Sequence, residues 1–216
     1  MNLILTSAGM KVDVVKDEVL KLLPKPANEL KLAHITTASK VASDTDFVTR
    51  DKLALEKAGF NVTDIDIEDR TENELFELLK GFDIIYVQGG NGFYLLKNIS
   101  ESGFDKVVKK LLDQGKWYIG VSAGSYVCCP TIEMHTWKRE PDNVYGLTDL
   151  KAMNLVPFLV SVHYNREKYK ELLSQKIPTA SKRVKILADD QALYFDGNKT
   201  TFLGKQPEIL AEDLIN

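Results

Sequence analysis

The chain has 216 residues, of which 44% are hydrophobic and 27% are charged, and its formal net charge is −3. This composition is ordinary for a globular protein, and the length suits one α/β domain spanning residues 1–216. The weak negative charge excludes a global basic field of the kind that attracts nucleic acid or anionic lipid, so neither partner is expected.

The cysteines and the apolar segments indicate a cytoplasmic protein. Cys128 and Cys129 are adjacent, which leaves no spacing for a disulfide framework or a CxxC metal pair, so we expect small buried residues in a reducing compartment. The first residues do not resemble a signal peptide. The longest uncharged stretch, 117–132, is too short and too broken by Gly, Ser and Pro to span a membrane.

Apolar runs and helical periodicities alternate along the chain. Strands are predicted at 3–5, 32–35, 61–66, 83–87, 117–121 and 158–162, and short strands within 184–203 around a turn at 196–198. Helices are predicted at 12–22, after Asp44 to 58, at 72–79, 93–99 and 104–112, from 122 toward 129, and at 167–173. Residues 133–149 are predicted to form a polar loop. The alternation predicts a mostly parallel sheet with helices on both faces, in which the terminal strands are candidates for antiparallel pairing.

In such folds the functional residues gather where the carboxyl ends of the strands meet the following turns. This rule selects four places in the sequence: residues 36–39, residues 88–91, Ser122, and His163 at the end of strand 158–162.

The serine lies in the motif Gly120-Val121-Ser122-Ala123-Gly124, between a predicted strand and a predicted helix. This is the pattern of a nucleophile elbow, in which small neighbours tolerate a strained serine backbone. The following helix directs its free N–H groups at the serine Oγ, so the N–H of Ala123 can donate to an oxyanion. A tight turn built only for close packing explains the same five residues equally well.

A nucleophilic serine needs a base, and the chain has three histidines. We expect His34 to be packed in its strand and His135 to lie in a surface loop. His163 is favoured because it ends a strand at the carboxyl edge of the sheet. Glycine lets the backbone approach a substrate closely, so Gly89-Gly90-Asn91 is suited to supply a second oxyanion donor, although an ordinary turn would look the same.

A carboxylate should orient the imidazole. Four acidic residues between the serine and the histidine are candidates, and the pattern alone does not choose among them: Glu133, Glu140, Asp142 and Asp149. The histidines are far apart in the sequence, so no metal site is expected, and nothing points to a cofactor.

Several stretches resemble the S51 serine peptidases, a family that includes peptidase E and cyanophycinase. They are residues 87–96, 120–125, 130–133, and 155–158 leading to 163–165, and the similarity extends to 36–39 and 189–193. The resemblance implies a class I glutamine-amidotransferase-like three-layer α/β fold and hydrolysis of short peptides next to aspartyl residues, and it makes a homodimer possible. It also implies Ser122 as nucleophile, His163 as base, and the N–H groups of Gly90 and Ala123 as oxyanion hole.

Two departures from peptidase E affect the predicted site. The position that matches its proposed acid is Trp137, which cannot serve, and we favour Asp142 over Glu140 as the replacement. The basic run after its histidine is reduced to Arg166, which we predict, together with Asn91, to bind substrate.

These observations predict a serine peptidase that hydrolyses short peptides by a Ser-His-acid mechanism. Two alternatives stay open. One is a catalytically silent S51 relative that binds a small peptide or metabolite, and the other is an esterase with the α/β-hydrolase fold. That fold also uses the GxSxG pattern, but it usually places more chain around the elbow.

Overall fold

The computed structural model describes residues 1–138 and 145–215. The strands in chain order are β1 (Asn2–Thr6), β2 (Lys31–Ile35), β3 (Asn61–Ile65), β4 (Ile84–Val87), β5 (Trp117–Val121), β6 (Leu159–Ser161), β7 (Val184–Ile186), β8 (Gln191–Phe195) and β9 (Thr200–Gly204). The helices are α1 (Asp13–Leu22), α2 (Asp46–Lys57), α3 (Glu72–Leu79), α4 (Gly92–Ser102), α5 (Phe104–Asp113), α6 (Ala123–Tyr126), α7 (Glu133–Trp137), α8 (Arg166–Lys176) and α9 (Glu212–Ile215). Among the described residues, no helix is long and apolar enough to cross a membrane.

Seven strands form one sheet in the order β3-β2-β4-β5-β1-β8-β9, and β6 and β7 form a separate parallel pair. The first five strands of the sheet are mutually parallel, whereas β8 is antiparallel to both β1 and β9. Every residue of β4 and β5 is buried, as continuous apolar runs predict for parallel strands covered on both faces. The predicted mostly parallel sheet and antiparallel terminal strands are confirmed.

The sheet separates two apolar layers. Leu3 and Leu5 of β1 face one layer and Ile4 faces the other, which is the two-residue period of a strand. The first layer contains the buried faces of α4 and α5, and the second contains those of α1 and α2. Helices therefore cover both faces of the sheet, and the predicted three-layer α/β architecture is confirmed.

One element was wrongly predicted, because the segment 133–149 is not all loop. Residues Glu133–Trp137 form the one-turn helix α7. Met134 is fully buried in the first apolar layer and Trp137 packs against it. A single turn shows too little periodicity to stand out from its polar neighbours.

Candidate active site

The first residues of the site follow three neighbouring parallel strands, whose carboxyl ends lie at the same side of the sheet. Strands β4, β5 and β1 lie side by side, so the residues that follow them, Gly89, Ser122 and Ser7, meet there. Gly89 lies directly against the serine, because a Cβ added to it would stand 3.0 Å from the Ser122 Cβ. Two of the four places selected from the strand-end rule, 88–91 and Ser122, thus adjoin each other.

The backbone of Ser122 has φ 51° and ψ −108°, a conformation that is rare for a residue with a side chain. The two glycines of the motif explain how the chain tolerates it. A Cβ on Gly120 would stand 2.5 Å from the Gly124 carbonyl oxygen, and one on Gly124 would stand 2.1 Å from the Val87 carbonyl oxygen. The small residues therefore permit a strand and a helix to meet at close range, with the serine at the tip.

Ser125 fixes this turn to the adjacent strand. Its hydroxyl lies 2.9 Å from the carbonyl oxygens of Thr6 and Gly120, and it accepts the Thr6 N–H at 3.0 Å. Ser125 is fully buried, and a buried hydroxyl without hydrogen-bond partners would lower the stability of the fold. The elbow is consequently a rigid part of the sheet edge.

His163 faces the serine across the cleft. Its Nε2 lies 2.9 Å from the Ser122 Oγ, and its Nδ1 lies 2.6 Å from the Oδ1 of Asp189. An ionised Asp189 accepts a hydrogen bond from Nδ1–H, which leaves Nε2 without a proton and able to accept a hydrogen bond from the serine hydroxyl. Serine, imidazole and carboxylate therefore form one continuous hydrogen-bonded line.

The carboxyl group of Asp189 is ionised at neutral pH. Its hydrogen bond to His163 lowers the pKa of the carboxyl to about 2, with smaller contributions from the Ser7 hydroxyl and the charge of Lys11, against the opposing effect of burial. An anion at this position orients the imidazole and stabilises it when it becomes protonated.

Two further side chains hold the backbone of His163, which has a positive φ of 56°. The Ser7 hydroxyl accepts the His163 N–H at 2.8 Å and donates to Asp189 at 2.6 Å. The ammonium group of Lys138 donates to the carbonyl of Val162, the residue before the histidine. Sequence patterns gave no sign of either residue, because both act through contacts distant in the chain.

Two of the four acid candidates taken from the sequence, Glu133 and Asp149, lie among the described residues, and both have partners other than His163. Glu133 accepts two hydrogen bonds from Ser181, and Asp149 forms an exposed ion pair with Lys151. Asp142, the favoured candidate, and Glu140 lie outside the described residues. Asp189 fills the position at Nδ1 that the acid of a triad takes.

Gly90 and Ala123, the predicted oxyanion donors, directly follow Gly89 and Ser122, which adjoin each other. Gly90 has φ +146°, and a Cβ there would stand 2.3 Å from the Ala38 carbonyl oxygen, so only glycine fits. Ala123 is the first residue of α6, where helix N–H groups have no intrahelical partner. Within residues 1–138 and 145–215, neither N–H is hydrogen-bonded to another group, so both can serve an oxyanion.

The serine opens into a cleft of about 560 Å³ that is also lined by Asn91, His135, His163 and Lys11. The Oδ1 of Asn91 accepts the N–H groups of Phe93 and Tyr94 at 3.0 Å and so caps α4.

Two sequence-based expectations concern residues near the cleft: Arg166 was predicted to bind substrate, and His135 was expected to lie in a surface loop. Arg166 is exposed at the start of α8 and is not among the described residues that line the cleft, whereas Lys11 is. His135 does not lie in a surface loop: it is half-buried in α7, and its ring packs edge-on against Phe93 and Tyr126.

Cys128 and Cys129 are buried, free thiols behind the elbow, as expected. Burial raises the pKa of the Cys129 thiol to about 12, which keeps it protonated and unreactive. In the described parts of the chain, no three His, Cys, Asp or Glu side chains are grouped to hold a metal ion.

Comparison with known proteins places these residues in a family context. The sequence profile of peptidase family S51 matches residues 3–203. An uncharacterised peptidase of Listeria monocytogenes is 34% identical over 171 residues, which are 78% of this chain and 83% of the relative. Peptidase E of a Nostoc species is 29% identical over 62% of this chain and 52% of its own length.

Solved structures agree with the sequence comparison. A candidate peptidase E protein from Listeria monocytogenes EGD-e has a TM-score of 0.82 and 33% identity, covering 95% of this chain and 98% of that one. A peptidase from an acI-B1 actinobacterium has the same fold, with a TM-score of 0.73 at 16% identity over 94% of this chain and 87% of its own. With its sheet, its elbow and nearly its whole length matched, the chain belongs to peptidase family S51.

Proposed function

We propose that the protein is a serine-type peptidase that hydrolyses short peptides next to an aspartyl residue. The observation that carries this proposal is the 2.9 Å separation between the Ser122 Oγ and the His163 Nε2. A serine hydroxyl within hydrogen-bond reach of an imidazole, itself oriented by a carboxylate, is the arrangement that nucleophilic catalysis requires.

In the proposed reaction the Ser122 Oγ attacks the carbonyl carbon of the scissile peptide while His163 Nε2 takes its proton. The N–H groups of Gly90 and Ala123 stabilise the oxyanion of the tetrahedral intermediate. The imidazolium then gives its proton to the leaving amine as the C–N bond breaks. A water molecule, deprotonated by His163, hydrolyses the acyl-serine ester and restores the enzyme.

The size and charge of the cleft support short acidic substrates. Its volume of about 560 Å³ lies within the range of small-molecule pockets and suits a peptide of two or three residues. Lys11 lines this cleft and, among the described residues, forms no ion pair. We propose that its ammonium group, rather than Arg166, meets the carboxylate of an aspartyl side chain.

Purified protein and a Ser122→Ala variant should be incubated with Asp-Xaa, Glu-Xaa and neutral dipeptides, with free amino acids measured by mass spectrometry. We expect cleavage of Asp-Xaa by the wild type and a loss of at least about 10³-fold in the variant. Wild-type activity in the variant would exclude Ser122 as nucleophile. Cleavage of no peptide would overturn the peptidase proposal.

Neither alternative gains support from a specific feature. The replacement of an acid by Trp137 suggested a silent relative, but Asp189 supplies a carboxylate at His163. The esterase alternative required the α/β-hydrolase fold, and the match to peptidase family S51 argues against that fold.

A further inference from the structure

One buried carboxylate of the cleft has no part in the proposed chemistry. Asp51 lies on the inward face of α2, one turn before the buried Leu55, and is only 1% exposed. An aspartate rarely occupies such a position unless it is paired. Asp51 nevertheless lines the same cleft as Ser122 and His163.

The two oxygens of Asp51 differ in their partners. The Tyr86 hydroxyl donates to Oδ2 across a long 3.4 Å, whereas Oδ1 has no hydrogen-bond partner within the described ranges 1–138 and 145–215. Burial raises the pKa of Asp51, and the nearby charge of Lys11 and side-chain amide of Gln88 oppose this effect. A buried carboxylate oxygen without a donor is costly, so it calls for a ligand.

The unpaired oxygen lies close to the nucleophile. Asp51 Oδ1 and the Val121 Cγ2 each stand 3.2 Å from the point that a Cβ on Gly9 would occupy. The Tyr86 hydroxyl stands 2.5 Å from the same point, and Val121 immediately precedes Ser122. Oδ1 therefore lies near the residue that leads into the elbow.

We propose that Asp51 binds the α-ammonium group of the substrate's N-terminal residue, so that cleavage requires a free amino terminus. The proposal rests on the peptidase function. Every unblocked short acidic peptide carries a cationic group at its amino terminus, separated by the Cα alone from the first carbonyl carbon. An ammonium bound beside the elbow brings that carbonyl to Ser122.

The charges of the cleft fit this orientation. Lys11 and Asp51 both line it, so it presents one cation and one buried anion. An N-terminal aspartyl residue carries the opposite pair, a side-chain carboxylate and an α-ammonium. Each charged group of the substrate thus faces a residue of opposite charge in the cleft, which favours one orientation of the bound peptide.

The test compares an Asp-Xaa dipeptide with its N-acetyl form in the wild type, in Asp51→Asn and in a matched control, Asp44→Asn. Asp44 is an exposed acid of the same cleft whose Oδ1 already accepts the Asp46 N–H, a bond that asparagine keeps. We expect the wild type to prefer the free peptide by about 30-fold or more, Asp51→Asn to abolish the preference, and Asp44→Asn to preserve it. Equal loss on both substrates in Asp51→Asn, or no preference in the wild type, would overturn the proposal.

A binding measurement separates this proposal from the peptidase function. Calorimetry should compare Asp-Xaa and N-acetyl-Asp-Xaa on Ser122→Ala and on the double variant Ser122→Ala/Asp51→Asn, with thermal melting to establish that each is folded. Stronger binding of the free peptide that disappears with Asp51 supports the ammonium site even if the wild type hydrolyses nothing. Equal binding of free and acetylated peptide to Ser122→Ala overturns it, and this result does not require the double variant to fold.

Discussion

Asp189 Oδ1 lies 2.6 Å from His163 Nδ1, although the aspartate follows the histidine by 26 residues. It stands just before β8, the strand that pairs antiparallel with β1 and so brings the C-terminal part of the chain back beside the first strand. The functional groups therefore follow the chain order serine, histidine, acid.

Replacement of Asp189 by asparagine should lower kcat/KM by about 10²- to 10⁴-fold, because an amide neither fixes the productive tautomer of His163 nor stabilises the imidazolium. Asp190→Asn is the matched control, since its carboxylate faces Lys205 at 3.7 Å instead of the imidazole. Steady-state kinetics on a cleaved dipeptide would measure the effect. Full activity in Asp189→Asn, with a loss in Asp142→Asn, would return the acid role to Asp142.

The same aspartate should make stability depend on acid pH. Its pKa is about 2 in the folded protein and 3.8 as an ordinary carboxyl, so the unfolded chain binds its proton more readily. Its stabilisation is complete above about pH 5 and is lost as the pH falls through the folded pKa of about 2. Urea unfolding at several pH values should show the wild type's advantage over Asp189→Asn shrinking in this window. A difference independent of pH would contradict the assignment.

Lys138 should produce a second rise of stability with pH, in the alkaline range. Burial lowers the pKa of its ammonium group to about 8, from an ordinary 10.5. The unfolded state therefore holds more protons between these values, and the free energy of unfolding should rise as the pH increases from 8 to 10.5. This rise should vanish in Lys138→Met.

The matched control for Lys138 is Lys168→Met. Lys168 is exposed and lies 5.1 Å from the ring of Tyr169, whereas Lys138 lies 4.5 Å from the same ring. The control should keep the alkaline rise of the wild type. An unchanged rise in Lys138→Met would show that its ammonium group is not the group responsible.

A side chain at Gly124 should destabilise the folded protein at the elbow. A methyl group there would stand 2.1 Å from a backbone oxygen of β4, so Gly124→Ala should lower the free energy of unfolding by about 2 kcal/mol or more. Gly81→Ala is the control, because a Cβ at Gly81 meets nothing within 4 Å and should change stability little. Chemical denaturation measures both. Equal stabilities would mean that the close contact at Gly124 is absent.

Much of the sheet could be predicted from the sequence because its strands are buried on both faces. The runs ending at Val87 and Val121 are apolar throughout, and the helices between them keep a clear period. The elements that escaped prediction were short: α7 has five residues, and the parallel pairing of β6 with β7 joins two three-residue strands. Such elements are stabilised by distant contacts that leave little local pattern.

The site was predictable where a local pattern encodes it. Ser122 stands in a motif with a steric reason. His163 was favoured as the end of a strand at the sheet edge, whereas it lies two residues after β6, which pairs with β7 outside the seven-stranded sheet. Asp189 was missed because we looked for the acid only between these two residues, while the antiparallel return of β8 brings a later residue to the imidazole. Asp51 gave no signal either, since its position on the inner face of a helix becomes evident only in three dimensions.

The position of β8 has a consequence for synthesis on the ribosome. Ser122 leaves the exit tunnel well before His163 and Asp189, and the acid reaches the imidazole only when β8 pairs with β1, for example Leu3 with Phe195. A growing polypeptide thus carries the proposed nucleophile before its proposed base and acid are in place. If these three residues act together as proposed, hydrolytic activity should arise only late in translation, once β8 has paired with β1.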